Sequence, residues 1–169
     1  MKRTSKRQNA KARITRNRVI AYGIMAAVVA TIGYFGWYAM IPANGTFPVF
    51  TPRENHFIKA THSSSGYHYV SISSGSVKGV RSGAGAGIIN PEYMFSTGEV
   101  QSIHLINEDI ETHSQHNLNV DALNVHTNNL NYYEGQTIDF ITDKAGTFEY
   151  YCSIHPEMKG KIVVAGQER

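Results

Sequence analysis

Between Val19 and Ile41 the chain reads VIAYGIMAAVVATIGYFGWYAMI, 23 residues without one charged side chain. At about 1.5 Å per residue, a helix of that length crosses the roughly 30 Å hydrocarbon core of a bilayer with room for tilt. It has no polar face to offer water, which excludes a soluble amphipathic helix. Tyr34, Phe35, Trp37 and Tyr38 gather near its C-terminal end, where an interfacial aromatic belt belongs. Residues 19–41 are therefore expected to form a transmembrane signal-anchor. A cleaved signal peptide fits less well. Its apolar region is usually about 7–15 residues, and neither Ala39-Met40-Ile41 nor Ile41-Pro42-Ala43 makes a good small-residue cleavage site.

Charge orients the span. Eight of the 16 Lys and Arg fall within residues 1–18, and no Asp or Glu precedes Glu54. The formal net charge of +3 thus describes a tail, since from Val19 onward 8 basic residues face 13 acidic ones. The positive-inside rule predicts that residues 1–18 are a basic cytoplasmic tail and that the remainder lies outside the cell membrane. Basic residues placed directly before a span give no reason to expect a nucleic-acid partner. Pro42, Pro48 and Pro52 mark residues 42–55 as a semi-extended linker. Asn44-Gly45-Thr46 within it fits a glycosylation sequon.

Residues 56–169 show no long run of helical period. Short β-type runs separated by turn residues predict strands at 67–73, 92–95, 99–106, 116–120, 136–142, 147–152 and 160–165. A glycine-rich loop, with Gly75, Gly79, Gly83, Gly85 and Gly87, separates the first two. Seven short strands at this spacing predict an all-β Greek-key sandwich or barrel. Strand parity turns Ile138 and Phe140 inward, together with Phe148, Tyr150 and Cys152. In HNLNV it turns His116, Leu118 and Val120 inward and Asn117 and Asn119 outward.

The chemistry concentrates in YYCSIHPEMKGKIVV, residues 150–164. Cys152 is the only cysteine in the chain. An intrachain disulfide framework and a four-cysteine zinc or iron–sulfur site are therefore excluded. His155 and Met158 follow at intervals of three. Two imidazoles and one thiolate in a plane, with a long axial thioether, form a blue-copper electron-transfer set. The soft sulfur donors favour Cu(I), and imidazole serves both oxidation states. Cys152, His155 and Met158 supply three donors from one turn, with Pro156 stiffening the loop, and a distant histidine must close the set.

The segment GTFEYYCSIHPEMKGKIVV, with its C-x2-H-x2-M spacing, resembles the copper loop of the cupredoxins, most closely in loop length that of amicyanin. HNLNVDALNVHTNNLNYYEGQTIDFITDKAGTFEYYC and INPEYMFSTGEVQSIHLINED resemble the strands preceding that loop. The likeness runs from about Ile88 to Ala165, and a first strand is expected within residues 50–75. It implies one mononuclear type 1 copper site with His116, Cys152, His155 and Met158 as metal ligands, and Asn117 tying the ligand loop. His113 remains open as the first ligand, although the parity of HNLNV and the following Asn117 favour His116. His56, His62, His68, His104 and His126 lack paired spacing and are expected to be ordinary surface or strand histidines.

The implied function is one-electron transfer between redox partner proteins outside the membrane, without catalysis. Two other classes compete with it. A copper chaperone or store would display methionine or histidine clusters, whereas after the span only Met94 and Met158 remain beyond Met40. A catalytic red-copper site would replace the thioether with a carboxylate, for which Glu111 is the candidate. A multicopper oxidase would flank its cysteine with histidines, and a dinuclear copper site would need a second cysteine.

Overall fold

The computed structural model describes residues 16–72 and 87–166. The basic residues 1–15 and most of the glycine-rich loop lie outside the described residues. The chain divides into two units, Met1–Ala39 and Met40–Arg169.

The described part of the first unit is helix α1, Arg16–Ala39, with 24 residues and none buried. Its length is about 36 Å, and it is long and apolar enough to cross a membrane. The helix starts three residues before the uncharged run and stops two residues before its end. Pro42 explains the stop, since the residues before a proline are pushed out of helical conformation.

The second unit is built from β1 Arg53–Ser63, β2 Gly66–Ile72, β3 Glu92–Ser96, β4 Val100–Asn107, β5 Asn119–Val120, β6 Val125–His126, β7 Gly135–Ile141, β8 Gly146–Tyr151 and β9 Lys159–Ala165. One sheet has the order β2-β1-β4-β7 and the other β3-β9-β8-β5-β6. Both are mixed, because β1 lies parallel to β4 and β3 parallel to β9. Ile58, Tyr69, Ile103, Leu105 and Phe140 meet Tyr93, Phe95, Tyr150 and Ile162 in one core. The expected all-β sandwich is present.

Four expectations change. β1 begins at Arg53, inside the stretch read as linker, and the residues before it are held to the domain. Ala43 N–H donates to the Asp139 carbonyl at 2.6 Å, and the Asn44 amide exchanges two bonds of 2.8 Å with the Ile141 backbone. The run 116–120 is a strand only at Asn119–Val120, with an isolated bridge from His116 to Leu130. Asn117 and Asn119 are buried at 5% and 8% instead of facing outward. His56 and His68, expected as ordinary strand or surface residues, are both buried.

Candidate metal centre

The turn from β8 to β9 sets the geometry. Cys152 ends the inward row of Phe148 and Tyr150 and is fully buried. Its N–H donates to the Met158 carbonyl at 3.0 Å, and Met158 N–H donates to the His155 carbonyl at 2.9 Å. The loop thus closes on its own backbone before β9 begins. Met158 is also fully buried and belongs to the core cluster with Cys152.

His116 reaches this turn from the segment leading into β5, the neighbour of β8 in the same sheet. Its backbone exchanges bonds of 3.1 and 2.8 Å with Leu130, which fixes the segment without a continuous strand. The Asn117 side chain supplies the tie to the loop. Its amide donates to Ser153 Oγ at 2.7 Å, and its carbonyl oxygen accepts from Ser153 N–H at 2.8 Å. That work explains why Asn117 is buried: an amide serving both segments has no reason to face water.

The nitrogen of His116, the sulfur of Cys152 and the nitrogen of His155 lie within 4.8 Å of one another. Cys152 Sγ is 3.9 Å from His155 Nδ1. His116 Nε2–H donates to Asp109 Oδ2 at 3.3 Å, which leaves Nδ1 as the free acceptor. That Nδ1 is buried and has no hydrogen-bond partner. A buried imidazole lone pair without a donor is costly unless something else takes it. The donor set therefore fits a small, soft, first-row metal ion such as copper.

Electrostatics favours the neutral, ligating form of both rings. Burial lowers the pKa of His116 and of His155 from the ordinary histidine value, against the pull of Asp109 on each. Burial works against the Asp109 carboxylate, yet bonds from the Thr112 hydroxyl and N–H, from His116 and from Ser114 N–H outweigh it. Asp109 is brought down to about 2. Asp109 is thus an ionised orienting group behind His116, of the kind that fixes a ligand's tautomer.

Tyr67 on β2 was missed in the sequence. Its ring stacks on His155 with centroids 3.8 Å apart and lies 5.7 Å from His116. Its hydroxyl sits 3.3 Å from Thr112 Oγ1 and Ser114 Oγ, the residues that also hold Asp109. Nothing in the alternation of GYHYVSI separates this tyrosine from any other strand residue. His113 lies exposed with its ring against Tyr132. Glu111 also stands apart from the cluster, its carboxylate accepting from His62 Nδ1 at 2.7 Å on the surface.

Residues 89–164 match the family model of the cupredoxin-like domain. The β-rich unit has a cupredoxin-like fold. Solved structures similar to it include a copper-containing nitrite reductase from Thermus scotoductus SA-01, 19% identical with a TM-score of 0.47, covering 70% of this chain and 29% of that one. A copper nitrite reductase from Nitrosomonas europaea is 15% identical with a TM-score of 0.49, covering 69% of this chain and 43% of that one. The chain thus spans less than half the length of either reductase. Reduced amicyanin is 25% identical with a TM-score of 0.33, covering 45% of this chain and 70% of that one. No curated protein matches the chain. The matched segment of the cupredoxin domain begins after Tyr67, so the stacking ring belongs to the part of the sandwich that the family match leaves out.

Proposed function

We propose that the protein is a membrane-anchored electron carrier with one mononuclear type 1 copper site, which His116, Cys152, His155 and Met158 would hold. The observation that carries this reading is the convergence of two nitrogens and one sulfur within 4.8 Å, one of the nitrogens buried and unpartnered. Bound copper would supply exchange of a single electron between Cu(I) and Cu(II). The chain's own residues do the rest. Asp109 keeps the His116 proton on Nε2, Asn117 holds the loop to the histidine segment, and the core around Met158 excludes water from the sulfur side. His155 is the half-buried member of the trio, with exposed Ile154 and Pro156 beside it, and is the natural point of exchange with donor and acceptor proteins. Helix α1 would hold the carrier at the cell membrane, with the N-terminus in the cytoplasm and the copper domain outside.

The test is the optical and EPR spectrum of the purified protein titrated with Cu(II). An intense band near ~600 nm at one copper per chain is expected from one thiolate, two imidazoles and a thioether. Cys152→Ser should abolish that band while far-UV circular dichroism stays unchanged. A colourless complex of the unaltered protein would end the type 1 reading.

A further inference from the structure

The residues that join helix α1 to β1 form a folded collar with two aromatic side chains turned to solvent. Val49 N–H donates to the Met40 carbonyl and Gly45 N–H to the Pro42 carbonyl, both at 3.0 Å, so the segment closes on itself. Ala43 and Asn44 fasten it to β7 at Asp139 and Ile141. Pro42 is buried in this arrangement. Phe47 and Phe50 are not: at 75% and 73% they are the most exposed large hydrophobic side chains among the described residues. A segment this well tied has the means to tuck its aromatics inward, and it presents them outward.

The position of the collar in the chain indicates what covers them. Met40 follows directly on Ala39, the last residue of an apolar helix long enough to cross a membrane. Phe47 and Phe50 therefore lie eight and eleven residues beyond the helix end. That is within reach of the headgroup region, where exposed apolar and aromatic side chains bury their rings. We infer that Phe47 and Phe50 insert into the bilayer interface and seat the cupredoxin domain on the membrane. The inference rests on the reading of α1 as a membrane anchor. It has a structural consequence for the site. The collar is fastened near Ile141, beside the loop that leads into Gly146, whereas Cys152 follows the opposite end of β8. Six residues of strand separate those ends by about 20 Å. A seated domain carries its ligand loop at the end away from the lipid.

Trp37, inside α1, is the only tryptophan, which makes fluorescence a direct test. The full chain is placed in phosphatidylcholine vesicles containing lipid brominated near the top of the acyl chain. The unaltered protein reports the helix. Three further variants in a Trp37→Phe background carry a single tryptophan as Phe47→Trp, Phe50→Trp or Tyr133→Trp. Tyr133 is the control, 71% exposed and just before the start of β7, far from the collar. Strong quenching by the brominated lipid and a blue shift are expected for Trp37 and for both collar positions, with neither at the Tyr133 position. Quenching of Trp37 with collar tryptophans behaving like the Tyr133 control would overturn the seating and leave the anchor intact. No quenching of Trp37 would remove the anchor itself. Equal quenching at the Tyr133 position would show a different face of the domain on the lipid.

Discussion

In the segment between β4 and β5, His113 has a φ of 54° and lies against Tyr132, while His116 is fully buried and gives Nε2–H to Asp109. The three-residue gap between them decides which ring reaches Cys152. His116→Gly should open the site and change the copper spectrum, with added imidazole restoring it, because a small free ligand fits the space the ring leaves. His113→Gly should leave the spectrum unchanged, since its removal takes a surface ring from Tyr132 and nothing from the sulfur. Loss of copper from the His113 variant alone would reverse the assignment. The inward direction of His116 was readable from alternation in HNLNV, but alternation also sent Asn117 and Asn119 outward, and that was mistaken. The rule holds where a strand has one wet face. Here the second face is covered by the ligand loop, so its amides are buried and bonded to Ser153, Asn129 and Tyr151.

At the level of elements, the pairing of β8 with β9 lays the Tyr150 ring over one position beside the ligand loop that glycine fits without displacing it. Tyr150 pairs with Gly160, and a Cβ on Gly160 would lie 2.3 Å from Tyr150 Cζ and Oη. The tyrosine ring has nowhere to move. Its hydroxyl donates to the Pro91 carbonyl at 2.6 Å, and Tyr69 and Tyr93 pack against it. Gly160→Ala should destabilise the domain by about 1–3 kcal/mol, the usual cost of overpacking, read as a lower denaturant midpoint. In a Tyr150→Leu background the same substitution should cost distinctly less, because the clash has been removed. Equal costs in both backgrounds would mean that the ring is not the obstacle. Most elements were legible because β2, β4, β7, β8 and β9 alternate apolar and polar residues or run apolar between turn signals. The longest strand, β1, was expected within residues 50–75 from the resemblance alone and not from its own pattern. RENHFIKATHS turns His56, Ile58 and Ala60 inward, a histidine and an alanine among them, so its buried row carries a weak hydrophobic signal. Its pairing with both β2 and β4 fixes it instead, and those contacts are distant in sequence. The collar was illegible for the same reason: three prolines read as an open linker, while the bonds from Ala43 and Asn44 to β7 span nearly a hundred residues.

Across the whole domain, the end away from the ligand loop holds a buried group that ties stability to pH. His56 is 1% exposed, with its ring against Tyr93 and Phe95. Nε2–H donates to Gln101 Oε1 at 2.8 Å, while Nδ1 is buried without a partner. A second proton would have to enter at that nitrogen, in apolar surroundings. Burial therefore lowers the pKa of His56 from its ordinary 6.5, the Gln101 bond opposing and the nearby His104 adding to the shift. In the unfolded chain the same ring takes up its proton near 6.5, so below that pH the unfolded state binds more protons than the folded one. Stability contributed by neutral His56 is then fully present above about pH 6.5 and is lost as the pH falls toward the lower folded value. His104 shifts the same way through burial, with Asp139 opposing. Denaturant unfolding of the metal-free protein at a series of pH values from 7.5 down to 5 should show stability falling, and His56→Gln should flatten that fall. The variant will also change stability at every pH, because it repacks the pocket beside Tyr93 and Phe95. That offset leaves the slope untouched, and the slope is what reports proton uptake. An equally steep slope in His56→Gln would show that the buried ring does not govern acid stability and that other titrating groups, His104 among them, do.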